Sequence, residues 1–193
     1  MKEGNIIFCG VGGQGILFAS EITSYALMKT GLDVKKSEVH GMAQRGGAVV
    51  AHLKYGEKVY SPLIEPGSVD IQVAFEMLES LRYLEYLNTG SRVIVSRQKI
   101  LPSPVSTGTE TYCRDVIGQL STLGLKVFPV DAFEIAKAAG EIKAVSMVLV
   151  GALSSFLPAS EEIFCSVIEE RVPARFLKAN LEAFAGGRKA ILI

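Results

Sequence analysis

The sequence predicts an α/β fold: a doubly wound, mostly parallel sheet closed by a helical C-terminal segment. Three observations carry that prediction. Short apolar runs bounded by glycine or proline alternate with segments of helical period. A glycine-rich turn, Gly10-Val11-Gly12-Gly13-Gln14-Gly15, lies between the first apolar run and the first helical segment. From about residue 141 to 193 the pattern is helical throughout.

Asn5 to Cys9 is apolar and ends in glycines, as a parallel strand buried on both faces requires. From Gln14 to Thr30, Ile16, Leu17, Ala19, Ile22, Ala26 and Leu27 recur at helical spacing, and Gly31 closes the helix. Val34 opens a second strand. Ala48 to Leu53, a turn over Tyr55 to Lys58, and Val59-Tyr60 suggest a hairpin-like insertion. Ile71 to Phe75 is the next strand, and the following helix, with Met77, Leu81 and Leu84 on one face, is expected to end near Asn88-Thr89-Gly90. Val93 to Val95 and Lys126 to Val130 complete the strands. Asp131 and Glu134 form a capping-box pattern for a helix that Gly140 stops. Ala144 to Leu157 reads as a buried helix. Ser160, Glu161 and Glu162 start another, and Pro173 a last one, with Phe176, Leu177, Leu181 and Phe184 as its stripe and Gly186-Gly187 as its end.

Composition narrows the function. The 193 residues suit one domain, and 20 acidic residues balance 20 basic ones, so no charge field invites nucleic acid or a membrane surface. The longest near-apolar stretch falls short of the roughly 20 residues a bilayer span needs, and no secretory leader can be drawn at the start. The chain reads as cytoplasmic. Cys9, Cys113 and Cys165 lie too far apart for C-x-x-C spacing, and His40 and His52 are the two histidines, so a metal site built by this chain is not expected.

The glycine-rich turn is a G-x-G-x-x-G between strand and helix. Glycine there lets the chain turn tightly and lets a phosphate approach bare N–H groups at a helix N-terminus. A dinucleotide site also wants an acidic residue about 20 positions on, but Lys35 and Lys36 stand there and Glu38 comes late. A phosphate-approach loop and a ligand-free turn both remain open. The second segment, Ser37 to Gly47, sets Arg45 before Gly46-Gly47 with His40 nearby, a pattern that can grip a phosphate or carboxylate. In a doubly wound sheet it leaves the carboxyl end of the second strand, beside the first turn. The alternatives are an arginine bonding neighbouring carbonyls and a structural histidine. Glu76 could face the same crevice or simply favour a helix N-terminus.

These segments resemble the gamma-type domain of the 2-oxoacid:ferredoxin oxidoreductases. The resemblance runs through Gly10 to Gly15, Ser37 to Gly47, Val59 to Ile64, Val130-Asp131-Ala132, Gly151-Ala152-Leu153, and Val172-Pro173-Ala174 on to Asn180 and Ala183-Phe184. It spans essentially the whole chain, 1–193, as one domain of Rossmann-like fold. The wording H-G-M-A-Q-R-G-G, from His40 to Gly47, is similar to the indolepyruvate branch. A departure is Ser146, where many members carry asparagine. The resemblance implies a small, cluster-free subunit, inactive alone, of an enzyme that oxidatively decarboxylates an aryl 2-oxoacid with coenzyme A and reduces ferredoxin. Thiamine diphosphate, Mg2+ and 4Fe-4S clusters are implied in a larger, alpha-type partner subunit. The implied ligand- or interface-forming residues are Gly10, Gly12, Gly13, Gln14, Gly15, His40, Arg45, Gly46 and Gly47, with no catalytic acid or base. Pyruvate, 2-oxoglutarate and branched-chain 2-oxoacid enzymes are alternative settings. A stand-alone nucleotide-binding protein and an assembly module whose glycines only fit a partner are the readings from other classes.

Overall fold

The computed structural model describes residues 3–40 and 46–191, of His40 the backbone only. In chain order the strands are β1 (Gly4–Val11), β2 (Asp33–His40), β3 (Ala48–Gly56), β4 (Val69–Ala74), β5 (Leu87–Ser96) and β6 (Lys126–Val130). The helices are α1 (Ile16–Lys29), α2 (Glu79–Arg82), α3 (Ser103–Ser106), α4 (Val116–Thr122), α5 (Ala132–Ala138), α6 (Val145–Ser154), α7 (Glu161–Arg171) and α8 (Ala174–Ile191). Single 3-10 turns lie at Leu84–Tyr86 and Ile142–Ala144.

The sheet runs β2-β3-β1-β4-β5-β6. β1, β4, β5 and β6 are parallel neighbours, and β3 pairs antiparallel with both β1 and β2. The α/β class with a mostly parallel sheet is thus as expected. β1 shows why its run is apolar on both sides: Ile6 and Phe8 enter the core on one face, Ile7 and Cys9 that on the other. The first core is covered by α1, α5, α6, α7 and α8; the second is smaller and lies under α4 and the loops around Ile64 and Met77.

Three local expectations are corrected. The insertion after β2 is one unbroken antiparallel strand, β3, and Val59-Tyr60 lies in the loop beyond it; pairing on both sides holds Tyr55 and Gly56 in register with Val34 and Asp33. The segment after β4 does not form one helix ending at Asn88 to Gly90. It breaks into α2 and a 3-10 turn, and β5 already begins at Leu87, because the Ser91 hydroxyl bonds the Val69 carbonyl at 2.6 Å and draws this stretch beside β4. Gly186-Gly187 does not end α8, which continues to Ile191. Both glycines face packed neighbours there: a Cβ on Gly186 would lie 2.6 Å from Ile135, one on Gly187 1.9 Å from the Val148 carbonyl.

The start signals fare unevenly. Ser160 accepts from the Ile163 N–H at 3.4 Å at the head of α7. Asp131 precedes α5 without a side-chain cap and instead points towards Arg97 at 3.5 Å. α6 is buried along its whole length, as the apolar stretch required. No helix among the described residues is long and apolar enough to cross a membrane.

Candidate ligand-binding crevice

The carboxyl ends of β1, β2, β4, β5 and β6 share one edge of the sheet with the start of β3, since Val11 pairs with Ala48, His40 with Val49, and Ser96 with Val130. Ligands bind doubly wound sheets at this edge. The β1–α1 turn occupies its centre. Gly13 is exposed with φ +100° and Gly15, at the head of α1, has φ +80°, conformations that cost a side-chain-bearing residue strain. Above Gly13 an added Cβ would meet no atom of the described residues within 4 Å. Among the described residues no side chain caps α1, and the first N–H groups of a helix have no partner within the helix itself.

The second glycine segment reaches the first. The Gly12 N–H donates to the Gly47 carbonyl at 2.9 Å, which ties the β2–β3 connection to the turn. Gly46 is exposed beside it. Arg45 and the side chain of His40 lie outside the described residues.

Two of the residues expected to be ligand- or interface-forming make close contacts within the chain. Gly10 is closed in: a Cβ there would lie 2.7 Å from Gln14 Oε1 and from the Phe75 Cβ. Gln14 turns inward as a brace. Its Oε1 accepts from the Val11 N–H at 2.7 Å, and its Nε2 donates to the Phe75 carbonyl at 2.9 Å and to Gln98 Oε1 at 3.1 Å. One amide therefore joins the ends of β1, β4 and β5.

Glu76 does not open into the crevice. It is buried, with Oε1 accepting from the Tyr112 hydroxyl at 2.5 Å and the Ile100 N–H at 3.1 Å, and Oε2 from the Glu79 N–H at 2.9 Å. Burial, then this carboxylate, pushes the Tyr112 phenol well up from its ordinary value. Beside it, Arg82 grips Glu79 with Nε to Oε2 at 3.0 Å and Nη2 to Oε1 at 2.9 Å. Burial, then the Glu79 charge, pushes the Cys9 thiol pKa up, which disfavours the thiolate that a nucleophile needs. This cluster pins the loops behind the crevice.

Sequence reasoning passed over Gln98, named Asn180 only within the family resemblance and treated Ser146 only as a departure from it. Ser146, at the head of α6, packs against Gly15: its Oγ would lie 3.2 Å from a Cβ on that glycine. Asn180 interrupts the apolar stripe of α8 and is buried, the one local sign that it has a role. Among the described residues no group of three or more His, Cys, Asp or Glu side chains gathers to hold a metal ion.

The topology also removes the dinucleotide geometry. β3 separates β2 from β1, so the end of β2 stands two strand spacings, roughly 10 Å, from the end of β1. A carboxylate on β2 would not reach the ribose of a nucleotide seated on the glycine turn in the usual way.

Known proteins match along the chain. The family described as pyruvate ferredoxin/flavodoxin oxidoreductase matches residues 5–190. Indolepyruvate oxidoreductase subunit IorB of Thermococcus kodakarensis is 40% identical, the match covering 98% of this chain and 96% of that one. Its counterpart from Archaeoglobus fulgidus is 41% identical over 95% of this chain and 92% of its own. Among solved structures, the keto/oxoacid ferredoxin oxidoreductase gamma subunit from Geobacter sulfurreducens superposes with a TM-score of 0.74 at 22% identity, covering 98% of both chains. The 2-oxoglutarate:ferredoxin oxidoreductase from Magnetococcus marinus, with 2-oxoglutarate, coenzyme A and succinyl-CoA bound, gives 0.78 at 20% identity over all of this chain and 31% of its own. The chain belongs to the pyruvate ferredoxin/flavodoxin oxidoreductase family.

Proposed function

We propose that this chain, as one gamma-type domain, is the small subunit of a cytoplasmic aryl 2-oxoacid:ferredoxin oxidoreductase of the indolepyruvate type, and that its glycine crevice holds the phosphates of coenzyme A. The observation that carries the reading is the Gly12–Gly47 hydrogen bond, which brings the two glycine segments together at the carboxyl edge. The relatives named for indolepyruvate, at about 40% identity over nearly the full length, support the substrate class. The coenzyme A bound in the larger Magnetococcus enzyme, one part of which shares this fold, supports the thiol substrate.

Among the described residues nothing crowds the space a Gly13 Cβ would take and no side chain caps α1, and in the sequence Arg45 stands two residues before Gly47, which bonds the Gly12 N–H. Such a site binds phosphate esters through backbone donors and one guanidinium. It holds and orients the coenzyme and carries no acid or base. Thiamine diphosphate with Mg2+ and 4Fe-4S clusters, held by a larger alpha-type subunit, supply the decarboxylation and the electron path to ferredoxin. The wide spacing of Cys9, Cys113 and Cys165 agrees with that division of labour.

The test is co-expression with the large subunit found beside it in a pull-down from the native host, followed by assay of ferredoxin reduction. The expected result is activity on indolepyruvate that requires both subunits and coenzyme A. A preference for pyruvate or 2-oxoglutarate would move the chain to another branch of the family, and activity without coenzyme A would overturn the ligand assignment.

A further inference from the structure

One side of the sheet is thinly covered. The first core lies under five helices, the second under the short α2 and α4, a 3-10 turn and loops. Register sets Val39 and Ser37 of β2 on that second side, opposite Val50 and His52 of β3. Val39 is 58% exposed, although Val50 opposite it is buried. The loop after β3 adds Leu63, at 64%, and Tyr60, at 89%. Three exposed apolar side chains therefore lie on one side of β2 and β3. The first stands beside the crevice, and Tyr60 stands towards the opposite edge, where β3 ends at Gly56.

The loop that carries two of them is fixed in place. Val59 and Ile64 are buried at its ends. The Val59 N–H donates to Asp33 Oδ2 at 3.0 Å and the Ile64 N–H to His52 Nδ1 at 3.3 Å. Between them Ser61 Oγ accepts from the Leu63 N–H at 3.2 Å. Tyr60 and Leu63 are thus held outward on a backbone that loses little freedom when something packs on it. Tyrosine in such a position is a frequent anchor of protein interfaces. Beside it lies a polar cavity of about 670 Å3, lined by Tyr60, Lys54, Ser61 and Asp70 among others. Tyr55 lines it too, and its buried hydroxyl has no partner among the described residues. An incoming polar side chain can supply one.

The surroundings narrow the occupant. The chain carries no net charge, and Lys54 and Asp70 share the cavity, so neither a polyanion nor a lipid surface is drawn to it. Both edges of β3 are already hydrogen-bonded, so a partner must engage side chains here. Val39 immediately precedes the end of β2, at the crevice edge. A coenzyme held in that crevice reacts on the larger subunit, so that subunit must come to this edge, and the apolar side chains continue from it. We propose that the larger subunit of the oxidoreductase packs on the Val39, Leu63 and Tyr60 side of the sheet, with Tyr60 as its anchor. This rests on the subunit reading above and adds to it the surface through which the two chains meet.

The experiment follows the dissociation constant of the co-expressed two-subunit complex by sedimentation over a dilution series. Tyr60→Ala and Leu63→Ser should each raise it roughly tenfold, and the double variant more than either. Met28→Ser, on α1 at the other side of the sheet, should leave it unchanged. The free variants should keep the wild-type thermal midpoint, because both side chains are exposed. Excess larger subunit should restore ferredoxin reduction by Tyr60→Ala to the wild-type rate, since the residue makes a contact and takes no part in the chemistry. An unmoved dissociation constant in the well-folded double variant overturns the proposed surface while the subunit reading stands. A free chain that dimerises, and that Tyr60→Ala turns into a monomer with undiminished affinity for the larger subunit, assigns the surface to a second copy and overturns it as well. A wild-type chain that does not associate with the larger subunit at all overturns the subunit reading itself.

Discussion

Gly187 of α8 and Val148 of α6 meet backbone to backbone: a Cβ added to Gly187 would stand 1.9 Å from the Val148 carbonyl oxygen. The contact is reciprocated, since a Cβ on Gly151 of α6 would stand 2.0 Å from the Phe184 carbonyl of α8. Neither obstacle is a flexible side chain, so an added methyl must push the helices apart. Gly187→Ala and Gly151→Ala are each expected to cost about 3 kcal/mol, the upper end of the range for overpacking. Urea unfolding checks this; a loss below about 1 kcal/mol would mean that the two helices separate easily.

Gln14 acts before any ligand arrives. Its replacement by alanine leaves the Val11 N–H and the Phe75 carbonyl without these partners, and the expected loss is about 1–3 kcal/mol in the free chain. Were Gln14 instead a ligand contact, Gln14→Ala would weaken coenzyme A binding and leave the unfolding curve of the free chain where it was.

A histidine makes the fold acid-sensitive. The His52 Nδ1 accepts from the Ile64 N–H at 3.3 Å, and burial lowers its pKa from 6.5. Below pH 6.5 the unfolded chain takes up a proton that the folded chain resists, so this contribution is present above 6.5 and is lost as the pH falls. Denaturant unfolding at pH 7 and at pH 5 should show the decline, and His52→Phe should flatten it.

At the alkaline end Tyr55 behaves oppositely. Its hydroxyl is buried without a partner among the described residues, and burial, helped by the Asp70 charge, pushes its pKa from 10.0 up to about 12. Stability from this residue is intact below pH 10 and falls as the pH rises towards 12, because the unfolded chain ionises first. Tyr55→Phe removes an unsatisfied polar group. It is expected to stabilise the chain by about 1 kcal/mol at pH 7, and by more at pH 11. Matched unfolding curves at the two pH values decide it; a variant less stable at pH 7 would mean the hydroxyl has a partner in solution.

Much of this architecture is legible in the residues. β1, α1 and the buried α6 follow from apolar runs and their period, because burial on one or both faces is what those patterns encode. The 76–90 stretch is not legible: Met77, Leu81 and Leu84 keep helical spacing, but the Glu76, Ser80 and Ser91 side chains bond the backbone and override it. The Gly186-Gly187 pair carries a stop signal that tertiary packing against α6 reverses. The glycine turn could be read from its spacing, whereas the inward role of Gln14 could not, because its partners Phe75 and Gln98 lie 61 and 84 residues away. Ser146 and Asn180 likewise meet at one cavity only once α6 and α8 are packed together.

The outer strands of the sheet set how this chain can join others. β2 forms one border and carries ion pairs from Lys35 to Asp33 at 2.8 Å and from Lys36 to Glu38 at 2.6 Å. β6 forms the other, and its Pro129 has no N–H to offer. Charged side chains on one rim and a missing donor on the other disfavour strand-by-strand growth. Contact with another chain through loops and helices is thereby favoured over the addition of a strand.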